Sequence, residues 1–283
     1  MSRPETVWGT YEIRPKAQLG RSTLCGPAVK VIIQANPLKP VAVEVSCGQT
    51  GMPVMAGHTT LDFSVVIKSE TGAILKSARS DCLSMQFSSV QAHAVVKTGP
   101  GSYIFKKCQV PDKAGNYFVE FLYDDGSFKV KSYPMTILVG PGHPAVIAVS
   151  DGQLTTPTVS NTRSATSRML IKSLNLELRD EFDNVLDEGY NGKVKIQITS
   201  DSNVDEVPCL NNEANVAEFS LINGRCRLQN LLVRENTSGK DGFEYHLKCT
   251  VICDAIPKNK PLLPLNIPFL FYNGKYIMDF SLD

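Results

Sequence analysis

Val110-Pro111-Asp112-Lys113-Ala114-Gly115-Asn116-Tyr117-Phe118-Val119 is the stretch on which the reading of the whole chain turns. The order Asp-x-Ala-Gly-x-Tyr is that of a tyrosine corner. In such a corner the tyrosine ring packs at the start of a sandwich strand and its hydroxyl bonds back to nearby backbone. Asp112, Gly115 and Tyr117 are therefore candidate corner residues. Lys240-Asp241-Gly242-Phe243-Glu244-Tyr245 is a looser second copy, with Tyr245 as its tyrosine. Both are structural signals and carry no chemistry of their own.

Working outward from the corner, the neighbouring segments also come in pairs. Pro40-Val41-Ala42-Val43-Glu44-Val45 has its counterpart in Pro144-Ala145-Val146-Ile147-Ala148-Val149. Phe63, Val65, Ile67 and Ser69 correspond to Leu174, Leu176, Leu178 and Asp180, and Pro134-Met-Thr-Ile137 corresponds to Pro264-Leu-Asn-Ile267. The spacing between copies only grows along the chain, as expected for two related domains that differ by loop insertions. Alternation of apolar and polar residues dominates, which is the period of half-buried strands. Phe63, Val65 and Ile67 form one stripe, Tyr117 to Tyr123 another, and Val194, Ile196 and Ile198 a third. Asp124-Asp125-Gly126-Ser127 turns the chain into the returning Phe128-Lys-Val130-Lys, which reads as a hairpin. The expected fold is all-β, two tandem immunoglobulin-like β-sandwiches.

Four segments follow. Residues 1–35 read as the tail of a preceding β domain or a flexible lead-in, with Gly9-Thr10-Tyr11 as a remnant of its own corner. Residues 36–140 are the first sandwich, 141–275 the second, and 276–283 a tail. Gly140-Pro141-Gly142-His143-Pro144 marks the junction, because proline and glycine there cannot continue a ladder. Ser150 to Ser167, rich in Ser and Thr, reads as a solvated loop or weak edge strand.

Composition narrows the function. Lys and Arg number 29 against 28 Asp and Glu, so the net charge of +1 offers no general pull toward nucleic acid or anionic membrane. No run approaches the about 20 apolar residues of a membrane helix, and the N-terminus lacks the features of a signal peptide. Eight cysteines stand scattered. Secreted immunoglobulin domains place an inter-sheet cysteine two residues after the corner tyrosine. Val119 and Leu247 hold those places, which points to free thiols in a reducing, intracellular compartment.

The constellations that would carry chemistry are thin. Asp180, Glu181, Asp183, Asp187 and Glu188 crowd one stretch but miss the calcium-loop template, so a solvated turn is expected. Cys249 and Cys253, with Cys226 and His246, lack the Cys-x-x-Cys pairing of structural zinc. His58, His93, His143 and His246 have no nucleophile or carboxylate at a recognisable spacing. Gly99-Pro-Gly101 and Gly140-Pro-Gly142 each feed a strand, whereas a phosphate cradle needs a helix N-terminus. No catalytic residue, metal site or cofactor is expected. Lys106-Lys107, Lys129 with Lys131, Lys193 with Lys195 and Lys258 with Lys260 read as charges decorating sheet faces and edges. The alternative is a weak, salt-sensitive phosphate strip.

Arg179-Asp-Glu-Phe-Asp-Asn-Val-Leu186, Leu231-Leu-Val-Arg-Glu235 and the Gly-x-x-Tyr245 corner, with Gly142-His-Pro-Ala-Val146, resemble the immunoglobulin-like repeat region of the structural maintenance of chromosomes (SMC) flexible hinge domain-containing family. The resemblance covers most of residues 28–273. It implies a nuclear, chromatin-silencing protein with an N-terminal ATPase and a C-terminal, nucleic-acid-binding hinge that dimerises. The chain matches neither end, so no active-site or hinge residue carries over. What it implies here is a non-catalytic spacer whose partners are other domains of a long protein or other proteins, with weak or no direct nucleic-acid binding and no membrane. Filamin-type repeats, similar at Ala114 to Val119, give the alternative: an intracellular scaffold that binds partner peptides by strand addition.

Overall fold

The computed structural model describes residues 8–48, 51–57, 59–87, 95–150, 156–200, 206–211, 215–257 and 259–274. Strands dominate, and among the described residues the one helical element is a 3-10 turn, Ser80–Cys82. Contacts divide the chain into two compact units. Unit 1 holds residues 1–54, 59–111 and 115–139; unit 2 holds 55–58, 112–114 and 140–283.

Unit 1 opens with two exposed ribbons. Strand β1 (Gly9–Ile13) pairs antiparallel with β4 (Val29–Ile33), and β2 (Lys16–Leu19) with β3 (Ser22–Cys25). A sandwich follows, built from β5 (Pro40–Cys47), β6 (Val54–Met55), β7 (Thr60–Ser69), β8 (Leu83–Phe87), β9 (Val95–Gly99), β10 (Ser102–Gln109), β11 (Gly115–Asp124), β12 (Lys129–Lys131) and β13 (Met135–Gly140). One sheet runs β5-β7-β10-β9. In the other, β11 pairs with β8 on one edge and with β12 and then β13 on the other, and β6 lies beside β13. This is the strand order of an immunoglobulin-like sandwich. Alternation supplies the core: Leu61, Phe63, Val65 and Ile67 from β7 meet Val119, Phe121 and Tyr123 from β11, all buried. Phe121 packs against Phe63 and Phe105, with ring centroids 5.6 and 4.9 Å away. Offset and edge-on aromatic pairs of this kind stabilise by about 0.5–1.5 kcal/mol each beyond their burial.

Unit 2 repeats the order with β14 (Val146–Val149), β15 (Thr158–Ser160), β16 (Met169–Arg179), β17 (Gly192–Thr199), β18 (Ala217–Ile222), β19 (Arg225–Leu232), β20 (Phe243–Ile252) and β21 (Leu265–Tyr272). Here all eight strands join one continuous path, β14-β16-β19-β18-β17-β20-β21-β15. Leu176, Leu178, Val194, Ile196, Leu228, Tyr245, Leu247, Phe269 and Phe271 are fully buried at its centre. The expected turn at Ile222 to Arg225 forms, with Asn223 and Gly224 at φ 47° and 72°. Both central residues thus take the left-handed conformation that tight hairpins demand. A Cβ on Gly224 would collide with the Leu186 carbonyl.

The pairing registers test the internal repeat residue by residue. Val43 lies opposite Ile67 in unit 1 and Ile147 opposite Leu178 in unit 2, which is the correspondence read from the sequence. At the other end the correspondence slips. Tyr117 pairs with Ile137, but Tyr245 pairs with Phe269, so Pro134–Ile137 and Pro264–Ile267 are displaced by two positions. Strand side chains alternate with period 2, so a slip of two leaves every inward face inward. Of the Ser/Thr-rich stretch, Thr158–Ser160 is a strand lying parallel to β21, and residues 151–155 fall outside the described residues.

Candidate functional site

The turn after β16 was expected to be solvated, and at Asp180 the structure differs. Asp180 is 3 % exposed. One carboxylate oxygen accepts the backbone N–H groups of Phe182 (2.9 Å) and Asn184 (2.8 Å). The other accepts the Gly142 N–H (2.7 Å) and the Asn184 side-chain amide (2.8 Å). Burial alone would raise the carboxyl pKa, but the donors from Asn184, Gly142 and Phe182 outweigh it and hold the group below the usual aspartate value. Asn184 extends the cluster inside unit 2. Its amide donates to the Asp112 carbonyl (2.7 Å) and its Oδ1 accepts the Ala114 N–H (2.9 Å). The Lys113 ammonium donates to the Phe182 carbonyl.

The other acids of this stretch point elsewhere. Asp183 pairs with Arg179 at 2.6 Å, Arg179 also holds Glu177, and Asp187 and Glu188 are exposed. The carboxylates therefore do not converge on a cation, and no group of three or more His, Cys, Asp or Glu suited to a metal occurs among the described residues. Sequence reasoning missed Asp180 because a buried acid and a solvated one are spelled alike. The available signal was Asn184 four residues on, able to answer the same loop from its other end.

The candidate corner residues are distributed unevenly. The Tyr245 ring is fully buried, and its hydroxyl accepts the Lys240 N–H (2.9 Å) and donates to the Glu206 carbonyl (3.0 Å). Tyr117 is half-buried and meets Phe87 edge-on, with centroids 6.4 Å apart. Gly115 begins β11 with φ 156°. Asp112 lies with Ala114 in unit 2, where its carbonyl serves Asn184.

The eight cysteines are free. Burial raises the thiols of Cys108 and Cys226 to about 11 and that of Cys249 to about 12. Thiols held protonated in this way are poor nucleophiles and poor metal ligands. Of the lysine pairs, Lys129 faces Asp124 (3.3 Å), Lys131 faces Glu120 (3.3 Å) and Lys193 faces Glu218 (2.8 Å). Lys106 and Lys107 sit at a bulge in β10 where the register with β7 shifts, and the Lys107 N–H bonds Asp62. His58, His93 and Lys258 lie outside the described residues. No helix among the described residues is long and apolar enough to cross a membrane.

What this arrangement does chemically is hold loops. Its charged and hydroxyl groups answer backbone donors and acceptors, and Lys129, Lys131 and Lys193 are met by carboxylates of the neighbouring strand. Residues 149–274 match the family model described as SMCHD1 Ig-like domain 8. The chain is similar to the structural maintenance of chromosomes flexible hinge domain-containing protein 1 of Mus musculus, 28 % identical, and to that of Homo sapiens, 27 % identical. In both cases 94 % of this chain is covered, and it spans 14 % of the length of the relative. Among solved structures, a protocadherin gamma B2 extracellular fragment is similar with TM-score 0.42 and 10 % identity, covering 96 % of this chain and 47 % of that one. The Escherichia coli adhesin FdeC is similar with TM-score 0.36 and 17 % identity, covering 93 % and 74 %. The chain resembles the immunoglobulin-like region of the flexible hinge protein, and its fold is an all-β, immunoglobulin-like sandwich.

Proposed function

We propose that this chain is a non-catalytic spacer and interaction region, made of tandem immunoglobulin-like domains, in a nuclear, chromatin-silencing, SMC-related protein. The observation that carries this reading is the extent of the similarity: 94 % of the chain matches only 14 % of a much longer relative, and the match falls on a structural repeat. Beads of this kind set distances and present surfaces. ATP hydrolysis and nucleic-acid binding by a hinge belong, on this reading, to other parts of the long protein. The domain division we propose is 1–35 as the C-terminal part of a preceding β domain or a flexible lead-in, 36–140 and 141–275 as sandwiches, and 276–283 as a tail. The partners are other domains of the same protein or other proteins.

The test is a pair of assays on the purified chain. An ATPase assay should stay at background. A gel-shift titration with double-stranded DNA at about 150 mM salt should show no stable complex, because a few phosphate contacts do not survive physiological ionic strength. ATP turnover, or sub-micromolar binding that resists salt, would contradict the spacer reading.

A further inference from the structure

The outer face of β16, β19 and β18 carries charge that its counterpart in unit 1 lacks. Leu176 and Cys226 lie opposite each other and point into the core of unit 2, so their neighbours along each strand point out. Glu177 then lies opposite Arg225, and Asn175 opposite Arg227. In unit 1 Val65 and Tyr103 hold the inward places, and the outward pairs are Val66 with Ser102 and Ser64 with Ile104. The same strands are thus built once without either arginine. Arg225 and Arg227 are not a requirement of the fold.

A pocket of about 690 Å³ lies over this face. Asn175 and Glu177 of β16, Arg225 and Arg227 of β19, and Ser220 and Ile222 of β18 line it. Ser150, whose N–H donates to the Asn175 carbonyl, adds a hydroxyl. Glu177, the one carboxylate among the lining residues, is 7 % exposed and already held. Arg179 donates to one of its oxygens from both Nε (2.9 Å) and Nη2 (2.6 Å). The other two guanidinium groups are exposed and have no acid. Among the described residues Arg225 has no hydrogen-bond or ion-pair partner for its side chain, and Arg227 reaches only the Ser173 hydroxyl, at 3.3 Å. Two places apart on one strand face, their Cα atoms stand about 7 Å from each other.

We propose that this pocket binds a single phosphoryl group carried on a phosphorylated serine or threonine of a partner protein. The inference goes beyond the spacer reading and does not depend on it. A phosphoserine carries about −1.5 to −2 charges and three strong acceptor oxygens. Two guanidinium forks, the Asn175 amide and the Ser150 and Ser220 hydroxyls can answer all three. Clustered arginines are a recurring reader of phosphorylated segments. A carboxylate, with one charge and two oxygens, leaves one guanidinium unanswered. Nucleic acid fits worse, because a run of phosphates needs a track of cations and here meets Glu177 instead. The face is also open: of its six sheet residues only Glu177 is buried. A free small anion stays largely in water there, whereas a phosphoryl group tethered to a polypeptide brings neighbours to cover Ile222, 63 % exposed.

The experiment uses the 283-residue chain and three labelled seven-residue peptides that differ only at the centre: phosphoserine, serine or aspartate. Fluorescence anisotropy at about 150 mM salt reports binding, and amide chemical shifts report where. The phosphoserine peptide should bind, the aspartate peptide at least about tenfold more weakly, and the serine peptide not at all. Arg225→Ser places there the residue that unit 1 carries, and should weaken phosphopeptide binding about tenfold. Arg225→Lys keeps the charge without the fork and should weaken it about threefold. Equal binding of the serine and phosphoserine peptides, or Arg225→Ser binding as tightly as wild type, would overturn the proposal. So would inorganic phosphate binding where the phosphoserine peptide does not, which marks a free anion, or a DNA duplex binding more tightly, which marks a polyanion. If Arg225→Ser does not fold, the shifts in the wild-type chain decide instead: changes anywhere other than β16, β18 and β19 refute the pocket.

Discussion

Unit 2 repeats the strand order of unit 1 without a counterpart of β12, and the two units close their sandwiches differently. Unit 2 pairs β18 with β17 and runs all eight strands in one path, whereas unit 1 keeps two sheets whose outer edges at β5 and β12 stay unpaired among the described residues. The contrast extends to the turn after the second long strand. Ser69 and Asp180 occupy equivalent places: the Ser69 N–H donates to Ala73 as the Asp180 N–H donates to Asn184. Ser69 is equally buried, yet its hydroxyl reaches only Thr71 and the Ala73 carbonyl. Asp180 answers four donors. One backbone plan thus accepts a hydroxyl or a carboxylate, and the carboxylate ties more chain to itself.

Substitution at these equivalent positions sharpens the comparison most. Asp180→Ala leaves three backbone N–H groups and an amide without their acceptor and should cost about 3 kcal/mol or more in urea unfolding, since each buried unpaired donor costs about 1–3 kcal/mol. Ser69→Ala should cost about 1 kcal/mol. Equal losses would break the argument that the carboxylate does more than the hydroxyl.

Acid should reveal the same difference. The folded Asp180 carboxyl titrates below its unfolded value. Its contribution is therefore present above the unfolded value of about 4 and is lost as pH falls through the lower folded value. Unfolding followed between about pH 5 and pH 2 should show a steeper loss in the wild-type protein than in Asp180→Asn, which cannot lose a charge there.

Next in size are the two candidate corner tyrosines. Tyr245→Phe removes a buried hydroxyl with two backbone partners and should cost about 1–3 kcal/mol, while Tyr117→Phe, on a half-buried ring, should cost about 1 kcal/mol. Urea melts that reverse this order would show that the corner in unit 1 bears more than its burial suggests. The smallest effect is kinetic. At neutral pH a thiol reagent should label exposed Cys25 quickly and should reach Cys108, Cys226 and Cys249 only on unfolding, with all eight thiols counted in the denatured, unreduced protein.

Much of this was legible in the sequence, for a physical reason: inward-facing residues must be apolar at every second position. Phe63, Val65 and Ile67, like Leu176 and Leu178, therefore declared their strands, and Val43 and Ile147 fell opposite Ile67 and Leu178 at the expected registers. The two-residue slip between β20 and β21 was invisible, because it preserves that alternation. The buried role of Asp180 was hidden as well, since three of its four donors are backbone groups that every sequence possesses. Pairing of β18 with β17 depends on how far two sheets curl toward each other, which no single residue encodes.

Amide hydrogen exchange resolved by residue on the intact chain tests the central contrast most directly. If the edge of unit 1 is open, Lys129 and Lys131 should exchange orders of magnitude faster than Val130 between them. In unit 2, the Leu263 amide, which donates to the Ala145 carbonyl on the equivalent side, should exchange more slowly than Lys129 and Lys131. Lys129 and Lys131 exchanging as slowly as Val130 would mean that the edge is already covered, and the contrast between an open and a closed sandwich would be wrong.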